Sequence, residues 1–191
     1  MLTVFNFISL NGCYKGPDDD VSWHRHDPEE NAFAVEMLKE GHILLFGRRT
    51  YEIMAGYWPT EAAKKADPQV ARGMNEAEKI VFSKTLKKTD PIVIGWQNTT
   101  IMHDEIVAQM KKLKQQSGKN MTLLGSGSVL TQFAEAGLID EYQFMVDPVV
   151  IAGGTPIFNG VHHQLNLQCT GVKQFKTGVV LLCYRPAIKN K

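Results

Sequence analysis

Short apolar runs that alternate with helix-patterned stretches constrain this chain more than any other feature. The runs at 2–10, 42–46, 79–83, 121–124 and 141–150 are rich in branched and aromatic residues. Such runs, apolar on both faces, read as strands buried in a parallel sheet. Helical spacing predicts helices between them. One opens at Pro28, with Asp27 placed to cap it and Glu29 and Glu30 facing the positive end of its dipole. Others are expected over 48–54, over 61–78 in two pieces around Pro68, over 105–116 and over 129–136. Residues 99–102 are expected to add a short strand. The turn Lys176-Thr177-Gly178 joins strand-like segments at 165–175 and 178–184 into a hairpin. The order predicts an α/β fold with a mostly parallel twisted sheet and an antiparallel C-terminal hairpin. With no repeat and no linker, residues 1–191 read as a single domain.

Composition excludes several functions. A chain of 191 residues buries roughly 70% of its unfolded surface and needs no staples. A net charge of +1 gives no electrostatic case for nucleic acid or an anionic membrane. No apolar run reaches the ~18–20 residues that span a bilayer. The start MLTVFNFISLNG has no basic residue before its apolar stretch, so no secretory leader is expected. Cys13, Cys169 and Cys183 are odd in number and widely spaced. They fit a reducing, cytoplasmic setting, with Cys169 and Cys183 expected in the core.

Three strand-to-helix turns carry the candidate chemistry: Gly47-Arg48-Arg49-Thr50, Ser83-Lys84-Thr85 and Gly125-Ser126-Gly127-Ser128. In an open α/β sheet, ligands bind beyond the carboxyl ends of the strands. Glycines admit close backbone approach, and helix N-termini favour anions. Arg48 and Arg49 at a helix start oppose the dipole, a conflict that an anionic ligand removes. The turns therefore suit a phosphate-rich ligand such as a dinucleotide. Neither a Gly-x-Gly-x-x-Gly fingerprint nor a Walker A motif is present. Ordinary Gly-Ser turns with serine caps are the bland alternative. No metal site is expected, because neither His24-x-His26 nor His162-His163 supplies a convergent ligand set locally. These histidines read as surface or structural groups.

The chain resembles the dihydrofolate-reductase-like superfamily, most closely the reductase domain of bacterial riboflavin biosynthesis. The resemblance rests on Ile8-Ser9-Leu10-Asn11-Gly12, Gly16-Pro17 followed by Trp23, Gly47 to Glu52, Gly56-Tyr57-Trp58-Pro59, and Val81 to Leu86. It continues through Gly125-Ser126-Gly127, Leu138-Ile139-Asp140-Glu141, Pro148-Val149-Val150, Gly153-Gly154 and Pro156-Ile157-Phe158. It implies a three-layer α/β/α fold, NADPH as cofactor and a homodimer. It implies that Gly47, Arg48, Arg49 and Thr50 bind cofactor phosphates, an arginine meeting the 2′-phosphate. Ser83 and Lys84 are implied near that phosphate, and Gly125, Ser126, Gly127 and Ser128 around the pyrophosphate. Asn11, Trp23 and Tyr51 are expected as substrate walls or hydrogen-bonding groups. Among Asp27, Glu29 and Glu30 none matches the folate-reductase acid cleanly, so no catalytic residue is assigned. The expected activity is hydride transfer to a polar nitrogen heterocycle, carbonyl or imine, as in 5-amino-6-(5-phosphoribosylamino)uracil reductase. Dihydrofolate reduction and non-catalytic NADPH binding are the alternatives.

Overall fold

Strand β3 (Ile43–Gly47) shows how the sequence builds the layers. Its side chains alternate between the two sides of the sheet, and all five residues are buried. Ile43 and Leu45 join one apolar cluster, whereas Leu44 and Phe46 join another. Both faces must therefore be covered by helices. The computed structural model describes residues 1–26, 28–39 and 41–187.

The central sheet has eight strands. Besides β3 they are β1 (Leu2–Ser9), β4 (Lys79–Phe82), β5 (Thr99–Met102), β6 (Met121–Leu124), β7 (Glu141–Asp147), β9 (Leu167–Gln174) and β10 (Val180–Pro186). Their order is β5-β4-β3-β6-β1-β7-β10-β9. Strands from β5 to β7 pair in parallel. The β9–β10 hairpin adds antiparallel to β7. A separate small ribbon pairs β2 (Cys13–Lys15) with β8 (Thr155–Pro156).

One face of the sheet carries α6 (Ile106–Gln116) and α7 (Gly127–Glu135), whose Met110, Leu130 and Phe133 pack on Leu2, Val4 and Ile80. The other carries α1 (Pro28–Lys39), α2 (Arg48–Tyr57), α4 (Pro68–Glu76) and the short α5 (Pro91–Ile94). There Tyr51, Val70, Met74 and Trp96 pack on Leu44, Phe46 and Val81. α3 (Glu61–Ala66) precedes α4 and is capped by the Thr60 side chain. The result is the expected three-layer α/β/α fold.

Lys79 starts β4 with no exposed surface. Its Nζ donates to the carbonyls of Met74, Asn75 and Ala77 at 2.7–3.1 Å, and lies 4.7 Å from the Trp96 ring. Burial pushes this ammonium down to about 8. The three carbonyls take all three of its protons, so the end of α4 is capped from beneath.

Several expectations shift. The strand expected to reach residue 150 stops at Asp147, because Pro148 has no N–H to continue the ladder. The helix expected from residue 129 starts at Gly127, because Ser126 in a left-handed conformation supplies the cap position. Cys169 is exposed rather than in the core; Cys183 is half-buried and Cys13 buried, and all three are free. The expected cap of α1, Asp27, lies outside the described residues. Among the described residues, no helix is long and apolar enough to cross a membrane.

Candidate functional site

Neighbouring strands β3 and β6 send their chains to opposite faces of the sheet. β3 runs directly into α2 on one face, and β6 turns into α7 on the other. Such a divergence opens a crevice at the carboxyl ends of the two strands. The turns at Gly47 and Gly125 line it.

Ser126 holds the two turns together. Its Oγ accepts from the Gly47 N–H at 2.7 Å and lies 3.0 Å from both the Thr50 hydroxyl and the Leu124 carbonyl. The hydroxyl expected to face a pyrophosphate thus also serves as a buried tie. Gly125 has φ +59, and a Cβ there would sit 2.9 Å from Thr50. Gly127 faces the Tyr14 ring so closely that a Cβ would lie 2.8 Å from it. Glycine at both positions lets the turns approach. Ser128 is exposed one residue further on.

The third turn meets the first through Arg48, which donates to the Thr85 hydroxyl and, through Nε, to Glu52 at 2.7 Å. Ser83 Oγ accepts from the N–H groups of Leu86 and Thr85 at 3.0 and 3.3 Å. Exposed Lys84 follows it. His103 Nδ1 donates to the Ser83 carbonyl at 2.9 Å. Ser83, Lys84, His103, Lys111 and Ser128 border a groove of about 610 Å³. Arg49 pairs with Asp19 at 3.0 Å, with 69% of its side chain exposed. Exposed pairs of this kind hold weakly, so a more highly charged anion displaces the carboxylate readily. The Lys15 ammonium, bonded to Asp19, keeps that carboxyl below its ordinary value. The structure therefore brings Gly47–Thr50, Ser83–Lys84 and Gly125–Ser128 into one donor-rich rim.

The expected substrate residues separate. Tyr51 has no exposed surface. It packs 5.4 Å from Trp96, and its hydroxyl lies 3.2 Å from Thr99 Oγ1. It is a core residue and not a wall, a correction to the sequence expectation. Its place follows from the apolar stripe Tyr51, Met54, Ala55 and Trp58 at helical spacing. Asn11 spends its side chain as a clamp. Its Oδ1 accepts from Ser9 Oγ and the Ile151 N–H, and its Nδ2 donates to the Ile151 carbonyl. Trp23 is half-buried, donates to the Asp20 carbonyl at 3.1 Å and stands edge-on to His24.

His24, expected to be a surface or structural group, is a buried one. It is 8% exposed and stacks on Phe7 with ring centroids 3.6 Å apart. Its Nδ1 lies 2.8 Å from Asp147 Oδ2, and its Nε2 lies 3.1 Å from Glu30 Oε2. The other Asp147 oxygen accepts from the Arg25 N–H at 3.0 Å. His26 stands perpendicular to His24 at 4.4 Å. Burial, followed by the charge of His24, pushes the His26 imidazole down from its ordinary value. Asp147 ends β7 beside the end of β1, so this buried group also sits at the carboxyl edge. Its partners lie six and 123 residues from His24 in sequence. The available signal was a histidine directly after Trp23 and one helical start away from two acids.

The chain is similar to known proteins in sequence and in fold. YyaP of Bacillus subtilis (strain 168), an uncharacterized protein, is 28% identical over 177 residues, covering 93% of this chain and 90% of its own. YwjB of the same strain, also uncharacterized, is 31% identical over 175 residues, covering 91% of each. A diaminohydroxyphosphoribosylaminopyrimidine deaminase/5-amino-6-(5-phosphoribosylamino)uracil reductase from Thermotoga maritima superposes with a TM-score of 0.68 at 15% identity, over 98% of this chain and 56% of that one. The family described as RibD C-terminal domain matches residues 1–181. Because that match spans nearly the whole chain, the chain belongs to the RibD C-terminal domain family.

Proposed function

We propose that this chain is an NADPH-dependent reductase that delivers a hydride to a polar nitrogen heterocycle, a carbonyl or an imine. The observation that carries the reading is the joining of the Gly47 and Gly125 turns through Ser126, with Arg48 and Arg49 exposed at the head of α2. Family membership supports it, as does the uracil reductase named among its structural neighbours. In this reading the N–H groups at the starts of α2 and α7 take the cofactor's phosphates. Arg48, Arg49, Ser83 and Lys84 take the 2′-phosphate, for which a planar guanidinium is well suited. The bound cofactor supplies the hydride. The residues along the carboxyl edge, the ends of β1 and β7 near Trp23 among them, would hold and orient it.

The test is a steady-state assay of the purified protein with NADPH and a panel containing ribosylaminouracil phosphate and dihydrofolate. Substrate-dependent NADPH oxidation is the expected result, with the ribosylaminouracil compound ahead. Saturable NADPH binding without oxidation by any heterocycle, carbonyl or imine would leave a binding protein instead. We also propose a homodimer; light scattering should then give twice the 21.4 kDa chain mass.

A further inference from the structure

The cluster at His24 gathers two imidazoles and two buried carboxylates. Asp147 has no exposed surface and accepts a backbone N–H from Arg25 on one oxygen. Its other oxygen is then the acceptor for His24 Nδ1–H at 2.8 Å. In the neutral ring that bond places the proton on Nδ1 and the Nε2 lone pair on the opposite side. Nε2 is fully buried and 3.1 Å from Glu30 Oε2, yet it makes no aligned hydrogen bond. A lone pair and a carboxylate oxygen at this separation, out of line for a shared proton, are arranged as two neighbouring ligands of one cation. With metal–ligand bonds of about 2.0–2.1 Å, adjacent ligands lie roughly 3.0–3.4 Å apart. His26 supplies a third donor: one ligand atom each from His24, His26 and Glu30 lie within 4.8 Å of one another.

We propose that His24, His26 and Glu30 form a site for a late first-row divalent cation such as Zn²⁺, Co²⁺ or Ni²⁺. Asp147 is its outer-shell support. Two imidazoles and one carboxylate favour these ions over Mg²⁺ or Ca²⁺, which take oxygen donors. A carboxylate behind a ligating histidine orients the ring and raises its basicity, the part that Asp147 plays here. Three protein ligands leave a coordination position for water or for a ligand donor. None of its residues belongs to the phosphate rim, so cation binding is measurable without nucleotide.

The test uses Co²⁺ alone, with no nucleotide present. Protein stripped with a chelator and desalted is titrated with Co²⁺ and followed by visible absorption. A saturable band at one Co²⁺ per chain is expected, displaced by Zn²⁺ and not by excess Mg²⁺. His26→Gln alters an exposed residue and keeps the fold, as circular dichroism would verify; it should weaken Co²⁺ at least about tenfold. Glu30→Gln should do the same, and His163→Gln should change nothing. Absence of the band, or unchanged Co²⁺ affinity in His26→Gln, overturns the proposal.

Discussion

At residue scale, burial decides what a side chain does. Tyr51 follows two arginines at a candidate phosphate turn, and position alone suggested a ligand contact. The helix rotates it into the apolar layer against Phe46 and Trp96 instead. Tyr51→Phe removes the hydroxyl from Thr99 and should cost about 1 kcal/mol in urea unfolding. It should leave NADPH affinity unchanged; a large drop in affinity would return Tyr51 to the site. The stripe Tyr51, Met54, Ala55, Trp58 made this placement legible. His24 was not legible in the same way. Its meaning lies in Asp147 and Glu30, and no local pattern announces a partner 123 residues away.

At the scale of elements, the joints matter more than the helices and strands themselves. Apolar runs named the long strands because both faces of the sheet are covered. The β2–β8 ribbon escaped notice, since three residues and two residues show no periodicity and their pairing spans the chain. The Pro91–Ile94 turn of helix is too short to register for the same reason. The joint between α2 and α7 rests on Ser126. Ser126→Ala leaves the buried Gly47 N–H without its acceptor, and should cost about 1–3 kcal/mol by chemical denaturation. Cofactor affinity should fall with it.

A second joint ties α7 to the segment before β9. Glu135 takes the His163 ring at 2.7 Å and the His162 and His163 N–H groups. The His163 hydrogen bond first, then the backbone donor of His162, hold this carboxyl down at about 2, against 4.5 ordinarily. A depressed carboxyl contributes stability that is present above its unfolded value and lost as pH falls. The tie should therefore weaken between about pH 4.5 and 2. In His163→Ala, the Glu135 carboxyl followed by NMR should titrate closer to 4.5. An unmoved titration would remove His163 as the cause.

For the whole molecule, the sheet order sets the site. Placing β6 between β3 and β1 makes neighbouring strands diverge to opposite faces, and the crevice follows. The alternation of elements and the three glycine-bearing turns were readable along the chain. Their convergence was not, because strand order is decided by long-range pairing. The near-neutral total of 21 basic and 20 acidic residues conceals a local layout. Arg48, Arg49 and Lys84 gather on one rim, and Asp19 reaches across to Arg49. The most direct test is fluorescence titration of NADPH and NADH into the wild-type protein and an Arg48→Ala/Arg49→Ala variant. The wild type should bind NADPH at least about tenfold more tightly than NADH, and the variant should lose most of that preference while keeping its NADH affinity. Equal affinity of the wild type for both nucleotides, or binding of neither, would contradict the account.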